Sequence, residues 1–364
     1  MSVLIFLLVL IVLIAVHEWG HYITAKLTGM RVDEFAIGFP PKLFTFKKGE
    51  TVYSINLIPI GGFVKILGEN GDEDDEKLSE LDKTRTFSAR PKWAQAVVLI
   101  AGVTMNVVLA WVLLVAILLM GTPVEVDESQ AGPDAKLVVL ATLPGSPAEV
   151  IPQNATILGA SRGSTTLSQL TPTAFTEFVG ATAAPVTISY TAKKDVVSEV
   201  TLTPKAGLSK ADPERAIVGI SSGLVQVEQY GLSEAVYQAT LQTWATTVAI
   251  VRSVSELIVK TVSGTADFAQ LSGPVGIVKH VGVAAELGFS SILLFTAVIS
   301  LNLAVMNMLP VPALDGGRLV FVAIEAITRR RISPVWAGRV NAVGFGLLIL
   351  LMIAVTYHDI VKMF

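Results

Sequence analysis

The sequence contains no cysteine, only four histidines in 364 residues, and little charge: Asp, Glu, Lys and Arg together make up 16%. The absent cysteines exclude disulfides, thiolate nucleophiles and Cys-type zinc sites. A formal net charge of −3 offers no basic surface to a nucleic acid. No Lys or Arg precedes Lys26, so the first apolar stretch lacks the charged start of a cleavable signal peptide and reads as a retained transmembrane helix. What the chain has in excess is apolar residues, 52% of the total, with a mean hydropathy of +0.63. That is the composition of an integral membrane protein.

Apolar length marks three candidate spans, at about residues 3–26, 94–120 and 343–357. A fourth, about 290–311, is apolar but carries Asn302 and Asn307 and leads into Pro310 and Pro312. Between the first two lies VDEFAIGFPPKLFTFKKGETVYSINLIPIGGFVKI, rich in β-type residues and punctuated by glycine and proline, which predicts hairpin-like strands. The acidic stretch 69–80 reads as a solvated segment. From about 122 to 224 the chain turns more polar. There KLVVLAT, APVTISYTA and VVSEVTLTP read as strands, the last pairing with the one before it. TPTAFTEFV reads as a short helix with Thr171 or Thr173 near its cap. This is one small soluble domain, mostly β. The stretch from Leu232 is helical, with Arg252, Glu256 and Lys260 at i, i+4 spacing, and nearly apolar enough to span.

Lys and Arg are dense across residues 26–92 and again across 318–339, and the positive-inside rule places both clusters on the cytoplasmic side. With four spans, both termini and the β-rich domain then lie outside the cytoplasm. The same topology brings His17 and His21, at the end of the first span, to one depth with Asp315, at the end of the third. Were the helix from Leu232 a further span, Asp315 would fall across the bilayer from the histidines. That helix is therefore read as interfacial or packed beneath the soluble domain.

His17-Glu18-Trp19-Gly20-His21 is H-E-x-x-H. On a helix, positions i and i+4 share a face, so both imidazoles can reach one zinc ion, with Glu18 beside it as a general base. The alternative is a polar patch that anchors a helix end at the interface. The fifteen residues 2–16 rise only roughly 22 Å, less than the ~30 Å hydrocarbon core. The motif therefore lies within the membrane layer, where ionisable groups are costly and mark function. Zinc needs a third ligand, and Asp315 in NMLPVPALDGGRL is the candidate, the alternative being a cap on the helix that begins near Gly317. Asn302 and Asn307 could bind an extended peptide backbone or an oxyanion, or bond one helix to another. Asn106 carries the same ambiguity and is assigned to packing because Gly102 lies four residues earlier. His280 and His358 are assigned structural or interfacial roles.

The chain resembles the bacterial site-2 proteases, zinc intramembrane metalloproteases of the regulator-of-sigma-E-protease type. The likeness rests on AVHEWGHYITAKLTGMRVDEFAIGF, NLIPIGGFVKILGE, SGPVGI, SLNLAVMNMLPVPALDGGRL and NAVGFGLLILLMIAVTYHDI. It implies His17, His21 and Asp315 as zinc ligands, Glu18 as the catalytic base, and substrate contacts from Asn302, Asn307 and the Gly61-Gly62 stretch of a membrane-embedded β-hairpin that pairs with unwound substrate. The expected fold class is a polytopic α-helical membrane protein with four transmembrane helices, that hairpin, and one extracytoplasmic PDZ-like α+β domain. The expected division is 1–26 first span, 27–93 hairpin and acidic loop, 94–121 second span, 122–226 PDZ-like domain, 227–289 amphipathic helix and linker, 290–328 third span with LDGG, and 329–364 cytoplasmic turn and fourth span. Two departures from the family pattern stand out: Val103 where it usually has proline, and NATILGASRG where a PDZ turn is expected. The implied activity is zinc-dependent hydrolysis within or near the transmembrane segment of a single-span protein, such as an anti-sigma factor or a signal-peptide remnant, in a bacterial inner membrane. The rivals are a catalytically inactive PDZ-bearing adaptor, against which the intact Glu18 argues, and a zinc transporter or sensor, against which the nearly polar-free second and last spans argue.

Overall fold

The apolar run of residues 2–16 carries no charge to interrupt it, and it continues through His17, Glu18 and His21 as one unbroken helix, α1 (Ser2–Leu27), apolar on every side as far as Val16. The structure is a computed structural model and describes residues 1–69, 78–193, 196–208, 216–265 and 273–361. It divides into two compact units, Met1–Ile117 with Gly231–Phe364, and Leu118–Tyr230.

In the first unit, α1 is followed by two long strands, β1 (Val32–Lys48) and β2 (Thr51–Ile66). Their register doubles back. Glu34 through Ile37 pair both with Val52 through Ile55 and with Lys65 through Gly62, while Lys42 through Lys48 pair with Asn56 through Thr51. The two strands thus make four lanes, in the order 42–48, 51–56, 32–37, 62–66. Among the described residues, the lane 62–66 has a β partner on one side only. Glu50, in the turn between β1 and β2, bonds Lys26 Nζ at 2.6 Å and both terminal nitrogens of Arg85 at 2.7 and 2.9 Å, which ties the turn to the end of α1.

A short helix, α2 (Glu80–Thr84), is capped by Ser79 Oγ, which accepts from Asp82 N–H. It precedes α3 (Lys92–Met120). Residues 70–77 of the acidic stretch lie outside the described residues. Ala25, Met30, Val32, Ile66, Val98 and Val322 form a core where α1, the strands, α3 and a later helix meet.

The second unit holds β3 (Thr122–Val126), β4 (Lys136–Thr142), β5 (Thr156–Arg162), β6 (Thr165–Thr166), α4 (Pro172–Gly180), β7 (Val186–Lys193), β8 (Val196–Leu202) and β9 (Ile220–Glu228). The strands form one sheet in the order β3-β9-β4-β5-β7-β8, with β6 beside β5. Phe175 and Val179 of α4 join Leu137, Val139, Ile157 and Ile188 in a single core. Thr171 caps α4 by accepting from Ala174 N–H at 3.2 Å, and β8 pairs with β7.

The chain then returns to the first unit through α5 (Leu232–Val262), α6 (Pro274–Leu287), α7 (Phe289–Asn307), α8 (Asp315–Thr328) and α9 (Pro334–Val361). Among the described residues, four helices are long and apolar enough to cross a membrane: α1, α3, α7 and residues 335–361 of α9. At 31 residues α5 is long enough but is not among the four. It packs on α7, and Trp111 Nε1–H of α3 donates to its Thr240 Oγ1 at 3.0 Å. Three boundaries differ from expectation. The last helix begins at Pro334, ahead of the apolar core at 343, because a helix continues through Arg339 wherever its backbone is uninterrupted. The third span ends at Asn307, since the residues before Pro310 are disfavoured in helix. The next helix begins at Asp315 itself and not at Gly317. At the other end of the bundle Asp359 of α9 accepts from Gly276 N–H at 2.8 Å, a carboxylate at the first turn of α6.

The Glu50 carboxyl is held down at about 2 by hydrogen bonds from Arg85 and Lys26. A depressed carboxylate contributes stability that is complete above its unfolded value of about 4.5 and is lost as pH falls toward about 2. Glu50→Gln should lower stability by about 1 kcal/mol at neutral pH, the pair being partly exposed. It should also flatten the loss of thermal stability between those two pH values. Thermal unfolding in detergent across pH checks this, and parallel curves for the two proteins would contradict it.

Candidate active site

Helix geometry places His17 and His21 on one face of α1, and both are nearly buried, at 8% and 9% exposed. Their Nε2 atoms lie 3.2 Å apart. Asp315 Oδ2 completes a triangle, 3.1 Å from His17 Nε2 and 3.3 Å from His21 Nε2. That oxygen is enclosed and receives no hydrogen bond among the described residues. A tetrahedral zinc ion with bonds of about 2.0–2.1 Å separates its ligand atoms by about 3.3 Å. The observed edges match, and two imidazole nitrogens with one carboxylate oxygen are a donor set zinc accepts. Three lone-pair donors aimed at one buried point need a cation, or protons, between them.

Each donor is held from behind. His21 Nδ1–H donates to the Val98 carbonyl of α3 at 2.8 Å, which leaves Nε2 with its lone pair facing the triangle. His17 Nδ1 faces the Asn106 amide of α3 at 3.2 Å. The two helices approach this closely because Gly102 has no side chain; a Cβ there would lie 2.8 Å from His17 Cε1. Asp315 is aimed by the loop between α7 and α8. Ala313 adopts a φ of 75°, a left-handed conformation that costs of order 1–3 kcal/mol for a residue with a Cβ. Its N–H is held at 3.2 Å by Asn341 Oδ1 from α9. Two ion pairs fix α8 itself, Arg318 with Glu69 and Glu325 with Lys92.

Glu18 is half-buried on α1 beside the triangle. The edge lane of the strand pair lies against it: a Cβ added to Gly62 would come 3.0 Å from Glu18 Cγ and 2.8 Å from Ile14 Cγ2. Gly61, at φ +113, packs against the Phe39 ring. The two candidate asparagines of α7 part company. Asn307 Nδ2 lies 3.4 Å from His17 Nε2, whereas Asn302 Nδ2–H donates to Val298 O in its own helix at 2.9 Å. His280 is exposed and His358 lies on α9; neither joins the triangle among the described residues. Sequence reasoning missed the contacts of Asn106 and Asn341 with the site. Both depend on helix crossings; for Asn106 the signals were a polar side chain in an apolar span with Gly102 four residues earlier, and Asn341 lies ahead of the apolar core at 343 with no signal of its own.

Residues 5–351 match the model of peptidase family M50. The zinc metalloprotease RasP of Oceanobacillus iheyensis is 32% identical, aligned over 100% of this chain and 99% of its own length. The regulator of sigma-W protease RasP of Bacillus subtilis is 28% identical, with 100% and 99% covered. The zinc metalloprotease RasP of Geobacillus kaustophilus is 29% identical, with 100% and 98% covered. Four apolar helices and a triangle of two buried histidines and one half-buried aspartate are the features of a membrane zinc metallopeptidase. The chain belongs to peptidase family M50, as a zinc metalloendopeptidase of the bacterial site-2 protease type.

Gly102→Val should push a side chain into both imidazoles and weaken zinc retention by about tenfold or more. Chelator competition on the purified protein checks this; unchanged zinc affinity would show that the α1–α3 crossing does not shape the triangle.

Proposed function

We propose that this protein hydrolyses a peptide bond within or near the transmembrane segment of single-span membrane proteins, with His17, His21 and Asp315 as zinc ligands and Glu18 as catalytic base. The observation that carries the reading is the edge lane 62–66 lying against Glu18. A transmembrane helix hides its scissile carbonyls in hydrogen bonds, so a substrate must unwind before it can be cut. An edge strand offers the unwound segment a row of backbone partners in place of the lost helix bonds. Strand addition at 62–66 holds the segment extended beside the carboxylate, with the Gly61-Gly62 backbone offering its partners where the bare Gly62 lets the lane lie against α1.

Zinc held by His17, His21 and Asp315 would supply Lewis acidity toward a carbonyl and a water. Glu18 is the base that takes a proton from the attacking water as the water adds to the carbonyl carbon, and it delivers that proton to the departing amide nitrogen as the C–N bond breaks. Asn307, 3.4 Å from His17 Nε2, is within reach of a carbonyl oxygen turned toward the triangle. Asn302, one and a half turns earlier on α7, binds the substrate backbone farther from the point of cleavage. The apolar surface of the four long helices belongs in lipid, in a bacterial inner membrane, with the triangle near the cytoplasmic face by the distribution of Lys and Arg. The unit Leu118–Tyr230 is then an extracytoplasmic, PDZ-like module that filters substrates by size or reads a newly cut C-terminus. One relative's name, regulator of sigma-W protease, supports an anti-sigma factor as the kind of substrate; a signal-peptide remnant meets the same chemical description.

Glu18→Gln should lower the cleavage of a tagged single-span substrate by about 10²–10⁴-fold while leaving bound zinc in place. A chelator should abolish the wild-type cut. Equal rates for wild type and Glu18→Gln would remove Glu18 from the mechanism. Zinc-loaded wild type that cuts nothing across a panel of substrates would favour a non-catalytic adaptor.

A further inference from the structure

Asn106 sits in the middle of α3 with 0% of its surface exposed. Its Nδ2 faces His17 Nδ1 at 3.2 Å, and in that orientation its other amide atom, Oδ1, is buried with no partner among the described residues. The residue is not merely filling space. Ser300 of α7, also 0% exposed, donates Oγ–H to the Asn106 backbone carbonyl at 2.7 Å and fixes the position of that turn of α3.

An imidazole that gives its Nε2 lone pair to a metal keeps its single proton on Nδ1, and that N–H needs an acceptor. His21 has one in the Val98 carbonyl. His17 has none while the Asn106 NH₂ group faces it, because two donors then oppose each other. A half-turn of the amide exchanges Oδ1 and Nδ2. It gives His17 Nδ1–H its acceptor and ends the isolation of Oδ1 in one move. The orientation with Nδ2 toward the ring suits the other tautomer, in which the proton is on Nε2 and Nδ1 accepts from Asn106 Nδ2–H.

We propose that Asn106 is a positioning residue whose amide turns with the state of the site: its oxygen accepts His17 Nδ1–H when a metal is held, and its NH₂ group donates to Nδ1 when none is. This rests on the reading of His17 as a metal ligand. An amide can serve both tautomers. An ionised carboxylate serves only the metal-holding one, and an alkyl group serves neither.

The test compares zinc affinity, by chelator competition on full-length protein in detergent, for wild type, Asn106→Leu, Asn106→Ala and Asn106→Asp, with His17→Ala alongside. Asn106→Leu and Asn106→Ala should bind zinc 10–100-fold more weakly, as expected when an outer partner of a ligand histidine is lost. Asn106→Asp should bind as tightly as wild type or more tightly, because it restores the acceptor. Should the bulkier leucine prevent folding, alanine against aspartate carries the same comparison. Wild-type affinity in both Leu and Ala variants overturns the proposal. An Asp variant weakened as much as they are also overturns it, because the role would then be packing alone. Wild-type zinc affinity in His17→Ala is a separate result that removes His17 from the ligand set, whatever Asn106 does.

Discussion

Lone pairs from two histidines and an aspartate meet at one point inside a bundle of apolar helices. Hydrocarbon surroundings give such groups no water to fall back on, so a slack arrangement would relax into stray hydrogen bonds or proton sharing. The fold answers by holding each donor through a second contact from a different element. The Val98 carbonyl accepts a hydrogen bond from one imidazole, the Asn106 amide faces the other ring, and Asn341 grips the backbone two residues before Asp315. Five elements therefore converge on one point: α1, α3, α7, α8 and α9.

That convergence sets the packing around it. α3 can bring Val98 and Asn106 to α1 only because Gly102 lets the helices touch, and α7 is pinned to α3 at the same level by Ser300. The strand pair is subject to the same constraint from the other side, since Gly62 meets α1 at Ile14 and Glu18. The doubled register serves this end. By folding two strands into four lanes, the chain places a sheet edge beside Glu18 and keeps the turn at Glu50 anchored to Lys26 and Arg85. Strained backbone is found where the site needs it, at Ala313, and the helix that follows is tied down by ion pairs at Arg318 and Glu325.

Much of this was legible from residues alone, and the division follows the range of the interaction. His17 and His21 share a face because of helix periodicity, a local property, and the spans follow from apolar length. Asp315 needed a topological argument, since charge placed it at the depth of the histidines without showing contact. Asn106 was assigned to packing, although its side chain contacts a histidine 89 positions away. Gly102, four residues earlier, signals a close helix crossing there, but nothing local says which helix or which side chain Asn106 meets. The four-lane sheet was equally hidden: alternation predicts strands, but a strand that pairs with two partners leaves no distinct local pattern. Gly61 and Gly62 were marked as punctuation, and the reason Gly62 must be bare, the approach of α1, is again a contact between distant segments.

The central claim is that His17, His21 and Asp315 hold one zinc ion between α1 and the start of α8. X-ray absorption at the zinc edge of the purified, active protein tests it most directly. The account predicts one zinc per chain, a first shell of nitrogen and oxygen at about 2.0–2.1 Å, and outer-shell scattering from two imidazole rings. Active protein without zinc, or a zinc shell without imidazole scattering, would contradict it.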